Sequence, residues 1–347
     1  MRGLMAAMAI SMPGGPDVLQ PVSVPLPELR PGDVLIEVHA AGVNAPDLAQ
    51  RRGVYPPPPG ASPLPGLEVA GVIVALGTDV ATHQIGERVM ALTNGGGYAA
   101  YAAVPADQVV PIPAGWDTLS AAALPETFFT VAQTLLMRAH LGAGHWVLVH
   151  GAAGGIGGAA ILTCRILGAK PIGVVSSAEK AAYAGRLGAE ATIDRCSDDI
   201  AERVMQITGG HGADRIVDIV GGKTLAMNIT ASATGGHIVL VSTQAGAEAE
   251  INAGLLMRKQ LTISGSTLRP QTTATKAAIA ARLADDVLPR LPGHADSGLR
   301  IRATPLANAA GAHRALEQES SFGKIILVTD KGLSDGAATK GNPIESL

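Results

Sequence analysis

The chain has 347 residues, 29 acidic and 26 basic, for a net charge of −3. No long run of Lys or Arg occurs, so no basic face for a polyanion is legible and nucleic acid is not an expected partner. Hydrophobic residues make up 47% and charged residues 16%, which excludes a disordered chain and describes a folded protein long enough for two domains.

In chain order, residues 1–12 are apolar with one Arg, as a short secretory segment would be. No clear cleavage site precedes Pro13-Gly14-Gly15, and residues 7–11 read as a first strand. Strand-like runs follow at 34–40, 69–76, 88–92, 98–104 and 108–112. Strands this short, separated by Gly and Pro, predict a small barrel or sandwich. The run Tyr55-Pro56-Pro57-Pro58-Pro59-Gly60 is a loop, because proline lacks the N–H that a sheet interior needs.

From Ser120 the texture changes. Residues 120–140 are Ala- and Leu-rich, with Pro125 near a helical first turn and Gly142 beyond the end. Strands at 145–150, 171–175, 191–194, 215–220 and 237–241 then alternate with helices at 156–167, 178–187, 198–208 and 223–233. This pattern predicts an α/β fold: a Rossmann-type doubly wound parallel sheet beside the β-rich first part. After Leu261-Thr262-Ile263-Ser264-Gly265-Ser266, a helical run at 273–288, a helix at 309–318 and a strand at 324–328 follow, the last two expected to return to the first domain. Residues 331–347 read as a mobile tail. No apolar run reaches the roughly 18 residues of a membrane-spanning helix. Two cysteines, Cys164 and Cys196, imply no disulfide framework and a reducing compartment, read as the cytoplasm. Both are expected to be half-buried, unremarkable thiols.

The most informative stretch is Val147-Leu148-Val149-His150-Gly151-Ala152-Ala153-Gly154-Gly155-Ile156-Gly157. It fits G-x-G-x-x-G with Ala152 in the first glycine position, Gly154 second and Gly157 third. Such a turn leaves N–H groups facing outward at a helix N-terminus, where the dipole favours negative charge. Alone the motif is weak. Between a strand and a helix, with more strand–helix units downstream, it predicts a bound dinucleotide whose pyrophosphate rests on Ala153, Gly154, Gly155 and Ile156. An NAD site usually places an acidic residue about 20 positions on; this chain has Ser176-Ser177-Ala178-Glu179-Lys180 there. Hydroxyls and an ammonium suit a 2′-phosphate, and Arg195 at the end of the third strand adds a second cation. The predicted cofactor is therefore NADPH, with Glu179 the counter-evidence should the helix register differ.

These residues, with others, resemble the medium-chain dehydrogenase/reductase superfamily over about residues 5–329. The marks are Ala41-Gly42-Val43-Asn44-Ala45-Pro46-Asp47, Pro65-Gly66-Leu67-Glu68-Val69-Ala70-Gly71, Gly86-Glu87-Arg88-Val89, Gly97-Tyr98-Ala99-Ala100-Tyr101 and the glycine turn. Within it, Ala123-Leu124-Pro125-Glu126-Thr127-Phe128-Phe129-Thr130 and Phe322-Gly323-Lys324-Ile325 are similar to the quinone oxidoreductase branch. The resemblance implies a GroES-like catalytic domain over 1–122, a nucleotide-binding domain over 123–266, a return to the first over 267–330, and an active cleft between them. In the zinc-dependent branch a Cys stands where this chain has Asn44, and a His where it has Leu67. Glu68 alone cannot hold catalytic zinc, and His39, His83 and His150 show no ligand spacing, so no zinc is expected.

Without a Lewis acid, an already electrophilic acceptor is easier to reduce than an alcohol is to oxidise. The resemblance implies Asn44, Tyr55 and Thr130 beside the nicotinamide, with Asp47 orienting the Asn44 loop. It also implies cofactor contacts at Gly173, Val220, Gly221, Ser242 and Thr243, at the carboxyl ends of strands, and at Ser266, Leu268 and Lys324 on the nicotinamide side. In relatives, the segment 261–266 pairs with its twin, so a homodimer is expected. The expected activity is zinc-independent hydride transfer from NADPH to a quinone. Alternatives are an enone or enoyl-thioester reductase, or a non-catalytic NADPH-binding protein. A long thioester carrier would want basic residues at the cleft mouth, for which Arg51, Arg52 and Arg269 are the candidates.

Overall fold

The computed structural model describes residues 3–318 and 322–336. An antiparallel pair, β1 (Leu4–Ile10) and β2 (Leu19–Pro25), opens the chain. Next come β3 (Asp33–Val43), α1 (Ala45–Arg51), β4 (Glu68–Leu76), β5 (Arg88–Leu92), β6 (Tyr101–Pro105) and β7 (Val109–Pro111). Helices α2 (Thr118–Ala121) and α3 (Pro125–Val131) lead through a π-helical stretch, Ala132–Arg138, to the second sheet. Its elements are β8 (Trp146–Val149), α4 (Gly155–Ile166), β9 (Lys170–Val175), α5 (Ala178–Leu187), β10 (Ala191–Asp194) and α6 (Ile200–Ile207), then β11 (Ala213–Asp218), α7 (Thr224–Ala231), β12 (Ser232–Leu240), α8 (Ala253–Arg258) and β13 (Thr262–Gly265). The described residues close with α9 (Thr273–Asp286), α10 (His294–Ser297), β14 (Ile301–Pro305), α11 (Ala309–Glu317), β15 (Lys324–Val328) and α12 (Asp330–Gly336).

The second sheet is parallel throughout, in the order β10-β9-β8-β11-β12-β13. It starts at its centre, winds out to one edge and crosses back, so the strand order reverses between β8 and β11 and opens a crevice at their carboxyl ends. Val147, Leu148, Val149, Ile172, Ile216 and Ile238 are fully buried, as strands covered on both faces require. The first sheet runs β14-β15-β3-β4-β5-β7, with β6 also paired to β3. Its β14 and β15 come from the end of the chain, and β15 lies antiparallel to β3. One apolar cluster joins Ala40, Leu92 and Ile326 of this sheet to Phe128, Phe129, Val149 and Val217, so the two halves share a core. The expected α/β architecture with a β-rich partner domain is what is observed.

Local departures have local causes. The run 120–140 is not one helix, because Pro125, with no N–H to give the preceding turn, starts α3 instead of continuing α2. Residues 232–233 end no helix: Ser232 already pairs with Ala213, as the start of β12. The supposed tail is held as far as α12, where Thr329 Oγ1 donates to the Val38 carbonyl at 2.6 Å. Gly332 lies so close to the His39 carbonyl that a Cβ would sit 2.1 Å from its oxygen. Residues 337–347 of that expectation lie outside the described residues. Nor are the thiols half-buried: Cys164 is buried and Cys196 exposed. Among the described residues no helix is long and apolar enough to cross a membrane.

Candidate active site

The glycine turn follows β8 directly. Gly151 takes φ +63°, a left-handed conformation that a side chain would oppose. The first turn of α4 comes down on it: a Cβ on Gly157 would sit 2.3 Å from the Gly151 carbonyl oxygen and 2.6 Å from Ala152 Cα. Gly154 caps the helix with no side chain, and no acceptor among the described residues reaches the N–H groups of Gly155, Ile156 and Gly157. Three free donors at the positive end of a 12-residue helix form a cradle that fits a pyrophosphate. Gly173 lies beneath the turn, where a Cβ would meet that of Ala152 at 2.9 Å; it floors the cradle.

At the carboxyl end of β9, Ser177 caps α5 by accepting the Lys180 N–H at 3.3 Å, and Lys180 Nζ reaches back to Ser176 Oγ at 3.1 Å. Arg195 is exposed just past β10, its N–H bonded to the Val175 carbonyl at 2.9 Å. Glu179 is exposed on the same turn, so the helix register brings Lys180, not Glu179, back over the serines. After β11, the buried Asp218 carboxylate accepts the N–H groups of Val220 at 2.7 Å and Gly221 at 2.9 Å. A Cβ on Gly221 would lie 2.9 Å from Thr243 Cα and 3.0 Å from the Ser242 carbonyl oxygen, so these four predicted residues form one wall.

Across the cleft, β3 delivers Asn44 to the head of α1. Asp47 accepts the N–H groups of Asn44 and Gly66, both at 2.9 Å, and burial pushes its carboxyl up to about 7 against the pull of those two donors. Its oxygens are spent on holding the loop. Asn44 Nδ2 donates to Glu68 Oε1 at 2.7 Å. Lys324 Nζ donates to Asn44 Oδ1 and Glu68 Oε1, both at 2.6 Å. Glu68 Oε2 accepts the Glu126 N–H at 2.8 Å. Asn44, Glu68 and Lys324 are all buried. The Lys324 stem passes over the cradle, 2.9 Å from where a Gly155 Cβ would be, and Gly323 donates to the Ala153 carbonyl at 2.9 Å. The glycine turn and the Asn44 knot are therefore one continuous surface.

Glu126 and Tyr55 border this knot. The Glu126 side chain makes no hydrogen bond among the described residues, and burial, reinforced by the Glu68 and Asp47 charges, pushes its carboxyl up to about 8. Tyr55 is half-buried, with the Arg269 guanidinium 5.4 Å from its ring centroid. Burial raises the phenol above its ordinary value, and Glu126 adds to the shift. Thr130 is buried and its hydroxyl donates to the Glu126 carbonyl at 2.7 Å, which leaves it only lone pairs to offer a ligand. Ser266 Oγ donates to Gln133 Oε1 at 3.1 Å, and Leu268 is buried nearby in sequence.

Three charged residues behave differently from expectation. Arg269 is buried and committed to Gln50 Oε1 and the Asn94 carbonyl, each at 2.8 Å. Arg51 is buried against His313 and Glu317, and Arg52, although exposed, pairs with Glu317 at 2.7 Å. None offers a free cation to a long acidic carrier. The sequence reading missed Lys276, which is fully buried on α9 and donates to the Arg269 carbonyl at 2.8 Å and to Asn94 Oδ1. Burial lowers its ammonium to about 8. Its spacing from Ile279, Ala280 and Leu283 puts it on the buried face of α9, a signal available from periodicity.

Residues 30–114 match the family described as alcohol dehydrogenase GroES-like domain, and residues 155–283 that described as zinc-binding dehydrogenase. A quinone oxidoreductase of Lama guanicoe is 32% identical, over 94% of this chain and 98% of its own. The chain belongs to the quinone oxidoreductase branch of the medium-chain dehydrogenase/reductase superfamily. The crystal structure of a Pseudomonas syringae pv. Tomato DC3000 quinone oxidoreductase agrees in fold, with a TM-score of 0.78 at 31% identity, over 93% of this chain and 99% of that one. A mycobacterial protein solved in complex with NADPH superposes with a TM-score of 0.81 at 28% identity, over 93% and 100%.

Members of this branch are oxidoreductases that act on small molecules with a nicotinamide cofactor, and this quinone oxidoreductase homologue is one of them. Its residues do not fit the zinc that one family description carries. The Asn44–Glu68 corner offers one carboxylate and one amide, and the Lys324 ammonium is hydrogen-bonded to both. A catalytic zinc needs thiolate or imidazole donors in such a set.

Proposed function

We propose that this protein reduces a quinone with NADPH as the hydride donor. The observation that carries the reading is the Asn44–Glu68–Lys324 knot set against the glycine cradle, where zinc-dependent relatives need metal ligands. When bound, the dinucleotide supplies the hydride. The free N–H groups of Gly155, Ile156 and Gly157 hold its pyrophosphate, and the wall of Val220, Gly221, Ser242 and Thr243 borders it. Asn44 and Tyr55 position the reacting ends, with Thr130 accepting from the carboxamide. In this reading residues 1–122 and 267–330 form the catalytic domain and 123–266 the nucleotide-binding one. With no Lewis acid among the residues, the acceptor has to bring its own electrophilicity, which a quinone does.

Lys180 folded back on Ser176, with Arg195 on the adjacent strand end, supports NADPH over NADH. One charge-assisted contact to a phosphate contributes roughly 1.5–3 kcal/mol, or about tenfold or more in affinity. NADP+ is therefore expected to bind at least about tenfold more tightly than NAD+ by titration calorimetry; equal affinities remove the preference. The reaction is tested by following NADPH oxidation with 1,2-naphthoquinone beside a simple enone and a crotonyl thioester. Turnover of the quinone is expected. Turnover of the enone or thioester alone replaces the acceptor, and tight NADPH binding with no turnover leaves a binding protein.

A further inference from the structure

We infer that Glu126 is the proton donor of this cleft: its carboxyl holds a proton against the acceptor site and hands it to the acceptor oxygen that becomes negative. The inference rests on the oxidoreductase reading above and deepens it. Reduction by a hydride needs one proton per turnover, and the candidates in the cleft can be compared.

The oxygens of Asp47 are taken by the Asn44 and Gly66 N–H groups. Those of Glu68 are taken by Asn44, Lys324 and the Glu126 N–H. Thr130 spends its hydrogen on its own helix. Tyr55 is raised above an ordinary phenol, so it donates a hydrogen bond but releases a proton reluctantly. Lys276 has its ammonium on Asn94 and Arg269. Glu126 is the acid whose own oxygens no described residue engages. It stands at the second position of α3, held through its backbone: its N–H donates to Glu68 and its carbonyl accepts the Thr130 hydroxyl.

The surroundings set the charge state. Glu126 is faced by Glu68 from β4, Asp47 from α1, Lys324 from β15, Lys276 from α9, Tyr55 from the proline loop and Arg269 from the segment before α9. Burial and the two carboxylates outweigh the two lysines, which leaves the carboxyl largely neutral at pH 7 and ionised above about 8.

The step balances. As the acceptor gains a hydride, its conjugated carbonyl oxygen takes up the negative charge. The Glu126 O–H bond breaks and an O–H bond forms on that oxygen. The carboxylate left behind is offset by Lys276 and Lys324 and regains a proton from water once product leaves.

Two measurements on the full-length protein test this. In the ligand-free protein, infrared difference spectra between pH 6 and pH 10 are expected to show a carboxylic C=O band that disappears with a midpoint near 8. That band should be absent from E126Q, where the Asp47 carboxyl, held up to about 7, still titrates. In turnover, kcat of the wild type should fall as pH rises through about 8, because the protonated form is the active one. E126Q should lose about 100-fold in kcat, within the usual range for a general acid, with a flat pH profile and an unchanged Kd for NADPH; E126D should restore the pH dependence. An active wild type whose profile and kcat survive in E126Q overturns the assignment alone. A band with its midpoint near 8 that persists unchanged in E126Q does the same. A wild type that reduces no acceptor removes the oxidoreductase reading and the donor role with it.

Discussion

Lys324 brings one ammonium to two partners that would otherwise face each other without a cation. Removing it leaves Glu68 fully buried with hydrogen bonds from Asn44 and a backbone N–H but no counter-charge. Breaking a buried pair in this way costs about 3–5 kcal/mol. K324M is expected to lose that much stability in urea, and the double variant K324M/E68Q to regain part of it. A single variant within about 1 kcal/mol of wild type shows the pair to be dispensable. At this scale the sequence was informative only where a motif named the residue. Asn44, Tyr55 and Lys324 came through resemblance. Glu126 was in view as a letter of a motif, but its surroundings come from six other segments. Arg269 read as a surface cation because nothing local announces that Gln50 and Asn94 will enclose it.

At the scale of elements, the cradle depends on close backbone approach. G157A puts a methyl 2.3 Å from a carbonyl oxygen that cannot swing away. It should cost about 1–3 kcal/mol, as overpacking does, and weaken dinucleotide binding. G185A serves as the contrast: Gly185 lies inside α5 with nothing within 4 Å of a new Cβ, so the same change should stabilise by about 0.4–1 kcal/mol. Equal effects at both positions refute the steric account. The strand–turn–helix unit was legible because its signals are contiguous. The left-handed residue of the turn is nevertheless Gly151, not the position that the motif aligned with Ala152, since three adjacent small residues allow several alignments. The start of β12 was illegible for a related reason: Ser232 and Ala233 favour no element, and pairing with Ala213 decides.

For the whole molecule, the second sheet ends at β13, which has a neighbour on one side only. Met257 on α8, 72% exposed, and Ile251, 44% exposed, lie in the adjacent segment. An open edge flanked by apolar side chains invites a second strand, and this supports the proposed homodimer joined through residues 261–266. Sedimentation equilibrium should return twice the chain mass; a monomer at micromolar concentration dismisses it. The alternation of strands and helices made the parallel sheet legible, whereas the shared core of the two halves was not, because it forms from residues far apart in the chain.

One consequence concerns synthesis. The Asn44–Lys324 contact spans 280 positions, and Lys324 begins the strand that also pairs with β3. A ribosome making this protein completes the glycine turn well before it reaches the strand that completes the first sheet. Until then Glu68 waits without its cation, and the nascent polypeptide holds a nucleotide seat but no working pocket. Connectivity itself therefore makes the Asn44–Glu68–Lys324 knot one of the later contacts to form.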